Sequence, residues 1–266
     1  MDYDMARIAD IVREAATLHL QPSFRALGAD PVWEKAPGEV VTIADEACEA
    51  ALAPRYAAVP GSVVIGEEAV ADDPSVLRQL SGEELVWLLD PLDGTRAFVA
   101  GSPDYGVMAA LLPRGETVLA VMHQPEHGAT YVSGRGTGAF HMESGARLSV
   151  PSPPREHLLG AGMKRFLPPE VRDAVEENEH RFTTLELRTG AACIEYPSIA
   201  AGERDFMLYW RTLTWDHAPG VLLLAEAGGV AAHLDGAAYA PTAQRDGLLV
   251  ATSDVVWHAA AGSLGL

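Results

Sequence analysis

The chain has 266 residues, 48% of them hydrophobic and 21% charged. That is long enough to bury a substantial core without disulfides or a structural metal, and too ordinary in composition for a fibrous or largely disordered protein. With 37 acidic against 19 basic residues, the formal net charge is −18, which repels phosphate backbones and anionic lipid at long range and argues against a nucleic-acid polymer or a membrane as partner.

The opening segment MDYDMARIADIVREAATLHL lacks the basic start and unbroken apolar run of a signal peptide. No stretch approaches the ~18 apolar residues that span a bilayer. Cys48 and Cys193 show no zinc or disulfide spacing, so a soluble protein of the reducing cytoplasm is expected. Met5, Ile8, Ile11, Val12, Ala15, Ala16 and Leu18 recur at helical spacing over residues 5–20, and a second helix over residues 44–52 should pack against the first. Two short apolar runs follow, Val63 to Ile65 and Leu85 to Leu89, and read as buried strands with acidic residues at their C-terminal ends: GEE after the first, Asp90 after the second.

Beyond them, YGVMAALLPRGETVLAVMHQP reads as two strands joined by the turn PRGE, and GATYVSGRGTGAFHMESGARLSV as antiparallel strands with glycine turns. The glycines of SGRGTGAF suit a hairpin better than a phosphate loop, since no Lys-Ser/Thr pair closes the motif. The proline cluster PSPPRE, residues 151 to 156, marks an internal boundary between halves 1–150 and 151–266. HLLGAG reads as a strand, residues 169 to 180 as a charged helix, and LELRTGAACIEYPSIAAGERDFMLYW as strand, Gly190 at a helix start, helix and strand. TWDHAPGVLLLAEAGG has the form of a helix, with Asp216 in the capping region, Pro219 in the first turn, and Gly228 and Gly229 as stop signals. The order of elements is that of a layered α/β protein.

The chemistry gathers in LLDPLDGT. Pro91 cannot donate to a sheet ladder, so pairing is expected to stop there and leave Asp90 facing an open crevice. Asp93 lies three residues on, and the two carboxylates, with the Leu92 carbonyl between them, can aim at one point. Carboxylates that close raise each other's pKa unless a cation sits between them, and hard oxygen ligands suit Mg²⁺ or a similar divalent ion. Gly94 and Thr95 leave N–H groups that can cradle a phosphate oxygen. Taken alone, Asp-Pro and Asp-Gly are also ordinary turn formers. His217, beside Asp216, is a poor partner for an all-oxygen site. Cys193 reads as a packed thiol beneath the site, and the histidines of HQPEHG as a strand end with a turn.

GEVVTIADEA, IGEE, LLDPLDGTRAF, RTGAAC and WDHAPGVLLLAEAGG stand in one order along most of the chain. Together they resemble the inositol monophosphatase family of magnesium-dependent, lithium-sensitive phosphatases, whose wider superfamily includes fructose bisphosphatases. The resemblance implies an α/β (α+β) fold, a layered αβαβα sandwich, commonly as a homodimer. It implies that Glu67, Asp90 and the Leu92 carbonyl hold one Mg²⁺, that Asp90, Asp93 and Asp216 hold a second, and that a weaker third ion lies near Glu67, with Glu68 supporting its neighbour. Asp45 and Thr95 would orient the attacking water, with Glu67 counted among the catalytic groups, and the amides of Gly94 and Thr95 would bind phosphate. Gly190, Arg96 and Arg211 are candidate substrate contacts, and each arginine reads equally well as a surface charge.

Lys35 is similar in place to a loop lysine that lies near the metals in this family, or is a solvated lysine. Inositol-preferring relatives carry a glutamate seven residues before the aspartate matching Asp216; here that position is Tyr209. The expected activity is therefore metal-assisted hydrolysis of a small phosphate ester resembling inositol 1-phosphate. Histidinol phosphate, 3'-phosphoadenosine 5'-phosphate and fructose 1,6-bisphosphate are alternatives, and a catalytically silent binder is the alternative of another class. No G-x-S-x-G elbow suggests a serine nucleophile.

Overall fold

The computed structural model describes residues 3–25, 32–36, 39–82, 84–152, 154–163, 166–188 and 190–266. Helix α1 spans Met5–Ala15, with Asp4 accepting from the Arg7 N–H as its cap, and buries Ile8, Ile11, Val12 and Ala15. The helix then widens into a π-helical turn, Ala16–Leu20. The wider turn carries Leu20 inward and leaves Leu18 68% exposed, so the inward role expected of Leu18 from regular helical spacing falls to Leu20. Strands β1 (Val32–Ala36) and β2 (Glu39–Thr42) pair antiparallel. Lys35 falls on β1, and its side chain lies outside the described residues. Helix α2 runs Ile43–Ala57, longer than expected because Pro54 is accommodated inside it. It packs on α1 as anticipated, and the Tyr56 hydroxyl donates to the Ile8 carbonyl at 3.2 Å.

A seven-stranded sheet follows: β3 (Ser62–Gly66), β4 (Leu85–Asp93), β5 (Gly106–Pro113), β6 (Leu119–Gln124), β7 (Ala129–Gly134), β8 (Gly138–His141) and β9 (Ala146–Arg147), neighbours in that order. Only β3 and β4 run parallel; every later pairing is antiparallel. Short helices α3 (Glu67–Asp72) and α4 (Thr95–Val99) follow β3 and β4. The glycines of SGRGTGAF form the β7–β8 hairpin turn.

After the proline cluster a second sheet forms from β10 (Leu159–Met163), β11 (Thr184–Arg188), β12 (Phe206–Tyr209), β13 (Val230–His233) and β14 (Leu248–Ala251), in the order β11-β10-β12-β14-β13. Helices α5 (Pro169–Asn178), α6 (Ala192–Ala200), α7 (Thr214–Glu226) and α8 (Asp254–Leu264) accompany it.

Burial explains the layering. Ile8, Val12, Cys48 and Leu52 of α1 and α2 share a core with Trp87, Leu89, Val107 and Val121 on one face of the large sheet. Met108 and Met122 on its other face join Tyr196 of α6, Leu223 of α7, and Met207 and Val250 of the small sheet. The outer face of the small sheet packs Phe206 and Leu249 against Val175 of α5 and Val256 and Trp257 of α8. The result is helices, sheet, helices, sheet, helices: the αβαβα sandwich. Because β5 and β6 lie between two helical layers, every residue from Gly106 to Leu112 and from Leu119 to Gln124 is buried, which is why they read as continuous apolar runs. No helix among the described residues is long and apolar enough to cross a membrane.

Candidate active site

Strand β4 does not stop at Pro91. Asp90 pairs with Met108 and Asp93 with Gly106, so three steps along β4 face two along β5, a bulge that absorbs the proline where its missing N–H costs no ladder bond. The expected break in pairing at Pro91 is thus replaced by a bulge. Asp90 does not face an open crevice either: it is 1% exposed, and its Oδ1 accepts from the Leu92 N–H at 3.1 Å. The bulge folds the chain back over Asp90 and buries it.

At Gly94 the backbone turns with φ +82°, and a Cβ there would stand 2.8 Å from both the Ala191 Cβ and the Asp104 carbonyl oxygen. Glycine is therefore required on both counts. The turn presents the Asp93 carboxylate to the start of α6, where its Oδ2 accepts from the Cys193 N–H at 2.6 Å. The Cys193 thiol and the N–H groups of Ala192 and Gly94 lie near enough to favour its charged form. Cys193 is buried as anticipated, with its thiol pKa pushed up by burial and then by the neighbouring Asp93 charge.

Asp45 sits at the third position of α2 in a capping box: the Thr42 N–H and hydroxyl donate to its Oδ2 at 2.9 and 2.6 Å. Its other oxygen, Oδ1, lies 3.2 Å from the Thr95 hydroxyl, which is also 3.0 Å from the Leu92 carbonyl oxygen. The hydroxyl has one proton to give and two acceptors within reach. The expected Asp45–Thr95 pair is in place.

Glu67 opens α3 at the end of β3. Asp216 stands in the first turn of α7, where Leu213 rather than Asp216 is the cap residue and Pro219 is inside the helix. Burial holds the Asp90 pKa well above the usual carboxylate range, followed by the charges of Glu67, Asp93, Asp216 and Asp45. Burial also raises Asp93, against the pull of its N–H donors. Five acidic groups from β3/α3, β4, α2 and α7 thus act on one space. Among the described residues no group of three or more His, Cys, Asp or Glu side chains is close enough, as placed, to enclose a metal ion. The donor set is nevertheless the kind that a hard divalent cation relieves: carboxylate oxygens, buried at Asp45, Asp90 and Asp93 and half-buried at Glu67 and Asp216, whose charges raise the Asp90 pKa.

Beside this cluster lies a cavity of about 60 Å³ whose lining includes Asp93, Gly190, Tyr209, Arg211, Asp216 and His217. Tyr209 is 3% exposed, and its phenol oxygen has no hydrogen-bond partner among the described residues. The Arg211 guanidinium lies 4.2 Å from the centre of the Phe166 ring. Arg96, on α4, is exposed. His217 is not poised as a ligand: its Nδ1 lies 2.9 Å from the Tyr196 hydroxyl and its Nε2 3.3 Å from the Arg211 carbonyl. Burial lowers its pKa to about 4, so the ring is neutral and ties α7 to the Arg211 backbone. The sequence reading overlooked two supports, Thr42 beneath Asp45 and the α6 amides beneath Asp93. The first had a signal in T-x-x-D before a helix; the second joins residues a hundred positions apart and had none.

The sequence pattern of the inositol monophosphatase family matches residues 3–263. An inositol-1-monophosphatase of Mesorhizobium japonicum is 33% identical over 215 residues, 76% of this chain and 75% of that protein. A fructose-1,6-bisphosphatase/inositol-1-monophosphatase of Thermotoga maritima is 30% identical over 151 residues, so this match spans 57% of that relative's length and 57% of this chain. Among solved structures, the extragenic suppressor protein suhB of Bartonella henselae superposes with a TM-score of 0.84 over 98% of this chain and 97% of its own, at 23% identity. The chain belongs to the inositol monophosphatase family, phosphatases that hydrolyse phosphomonoesters and are generally metal-dependent.

Proposed function

We propose that this chain is a Mg²⁺-dependent phosphomonoesterase acting on a small, soluble phosphate ester resembling inositol 1-phosphate. The observation that carries this reading is the convergence of Glu67, Asp93, Asp216 and Asp45 on a buried Asp90 whose pKa they raise. Glu67, Asp90 and the Leu92 carbonyl would hold one ion, Asp90, Asp93 and Asp216 another, with a third near Glu67. Bound there, the cations would supply charge neutralisation for the phosphate and acidify a water. The protein's own part is orientation. When the Thr95 proton goes to Asp45 Oδ1, the hydroxyl oxygen is left with lone pairs for a proton of the attacking water, while Thr42 keeps the Asp45 carboxylate from turning away. The N–H groups of Gly94 and Thr95 would bind the phosphate.

In this reading residues 1–150 bring most of the cation ligands and residues 151–266 bring Asp216 and the substrate-facing wall. The protein works in the cytoplasm as a homodimer, and lithium inhibits it by competing for a cation position. Phosphate release from a panel of esters with and without Mg²⁺ tests it. Mg²⁺-dependent turnover of at least one ester is expected, and none on any ester at millimolar Mg²⁺ would leave a silent binder.

Tyr209 and Arg211 favour a second reading of the substrate. A phenol replaces the acidic acceptor that suits a polyol, and Arg211, held over Phe166, offers a forked donor to a carboxylate or second phosphate. A cavity of about 330 Å³ adjoins at Arg211, with Trp215 and Arg245 also in its wall, room for a larger leaving group such as a nucleotide or a sugar bisphosphate. Arg96 is exposed enough to meet such a group. Arg211→Ala is expected to cost about tenfold or more in kcat/KM on a doubly anionic ester while changing hydrolysis of a small generic ester little. Equal losses on both would make Arg211 structural.

A further inference from the structure

Glu49 is 9% exposed and has no part in the chemistry above. It lies one helical turn beyond Asp45 on α2, so the two carboxylates leave the same face of one helix. Its Oε2 accepts from the Glu68 N–H at 2.9 Å and its Oε1 from the Ala69 N–H at 3.0 Å, a two-pronged cap on the first turn of α3. That turn begins with Glu67. The helix has six residues, and its own cap residue, Gly66, supplies no side-chain bond, so local structure alone holds the turn weakly. The packing around the carboxylate is close: a Cβ on Gly66 would stand 2.2 Å from the Glu49 carboxyl carbon, although φ at Gly66, −105°, is open to any residue. Gly66 is glycine because Glu49 fills that space.

We propose that Glu49 is a positioning residue that sets where Glu67 leaves the backbone, so that α2 places the Asp45–Thr95 pair and the Glu67 carboxylate in one register. The proposal rests on the cation-binding role given above to Glu67. A negative charge shared between two N–H groups is a strong cap, and partners that hold a metal ligand in place without touching the metal typically govern its affinity by 10–100-fold.

Calorimetric titration of Mg²⁺ into the full-length protein tests this, together with the Mg²⁺ concentration giving half-maximal phosphate release. Glu49→Ala is expected to weaken Mg²⁺ binding about tenfold or more and to raise the half-maximal concentration in parallel, while kcat at saturating Mg²⁺ changes only about twofold. Glu49→Gln, which keeps the shape but has one acceptor oxygen in place of two, should fall between, and it carries the test if Glu49→Ala does not fold. Gly66→Ala should weaken binding like Glu49→Ala, because its methyl displaces the carboxylate. In the double variant the methyl has nothing to displace, so its loss should equal that of Glu49→Ala alone. Unchanged Mg²⁺ affinity with a lowered melting temperature would reduce Glu49 to a fold staple, and additive losses in the double variant would uncouple it from Gly66; either overturns the proposal. A wild-type protein that binds no divalent ion removes the cation reading itself and this proposal with it, a result distinct from wild-type binding that the variants leave intact.

Discussion

The large sheet holds carboxylates in two opposite settings. At the end of β4, Asp90 is surrounded by other carboxylates and its pKa is pushed up. On the side of β6 and β7, Glu143 accepts from the Thr130 N–H at 2.8 Å and from the Arg13 guanidinium at 2.5 Å. Burial is the largest single effect and raises its pKa, but the hydrogen bonds from Thr130, from its own backbone N–H and from Arg13 together outweigh it and bring the pKa down to about 2. The second cluster is satisfied from within the protein: Arg13 also donates to the Thr130 hydroxyl at 2.9 Å, and His123 Nδ1 lies 3.0 Å from the same oxygen. At the first, the charges of neighbouring carboxylates add to what burial does to Asp90, the condition in which an external cation gains most. The contrast distinguishes a site from a strut: an acidic side chain tied to N–H groups and arginine is finished, and one crowded by its own kind is not.

Removing a charge from each cluster should give opposite results. Asp90→Asn keeps the shape and the acceptor for the Leu92 N–H, so the fold survives and the metal-free protein melts no lower than wild type, having lost a charge that burial penalises. Phosphatase activity should fall by more than about 100-fold, since losing a ligand costs more than the 10–100-fold typical of an outer partner. Near-normal turnover in a well-folded Asp90→Asn protein would remove this aspartate from the site.

Cation removal sharpens the same contrast at a smaller scale. Mg²⁺ at a hundred times its dissociation constant adds about 2.7 kcal/mol of stability, or roughly 5–10 °C in melting temperature for a chain of this size. Chelation should lower the melting temperature of wild type by that amount and of Asp90→Asn by almost none. Glu143→Gln should show the full wild-type shift, because its cluster takes no cation. A shift in Asp90→Asn as large as in wild type would place the ion elsewhere.

Much of this was legible in the residues because chemistry and local geometry coincide there. Asp-Pro-x-Asp-Gly at the end of an apolar strand gave the turn and its two neighbouring carboxylates, and the largely apolar runs of β5 and β6 gave the buried sheet. What stayed hidden depends on distant partners. That Pro91 would sit in a bulge and not end the strand depends on the register with Gly106 and Met108 of β5, which no local pattern states. The N–H groups that hold Asp93 come from α6, and those that Glu49 holds come from α3. Leu18 points out because the helix widens after Ala15, a change of period that a 3.6-residue count does not register.

The smallest effects belong to the finished cluster, where pH is the sharpest probe. Glu143 is about a third exposed at its side chain, so solvent screens its pairing, and Glu143→Gln should cost about 1 kcal/mol at pH 7 with no change in kcat. A carboxyl lowered from 4.5 to about 2 in the fold contributes stability that is complete above the unfolded value and is lost as pH falls through 4.5 toward 2. His123 acts in a higher window. Its pKa is lowered from 6.5 to about 4, by burial first and the Arg13 charge second, so the unfolded chain takes up a proton that the fold refuses, and stability drops as pH falls from 6.5 to 4. Urea midpoints measured from pH 7.5 to 3 should therefore decline in two steps. Glu143→Gln should flatten the lower step, and His123→Gln, which can still bond Thr130, should shrink the upper one, whose remainder belongs to the buried His217. Two steps of unchanged slope in both variants would mean that the network around Thr130 does not set the acid stability of this sheet.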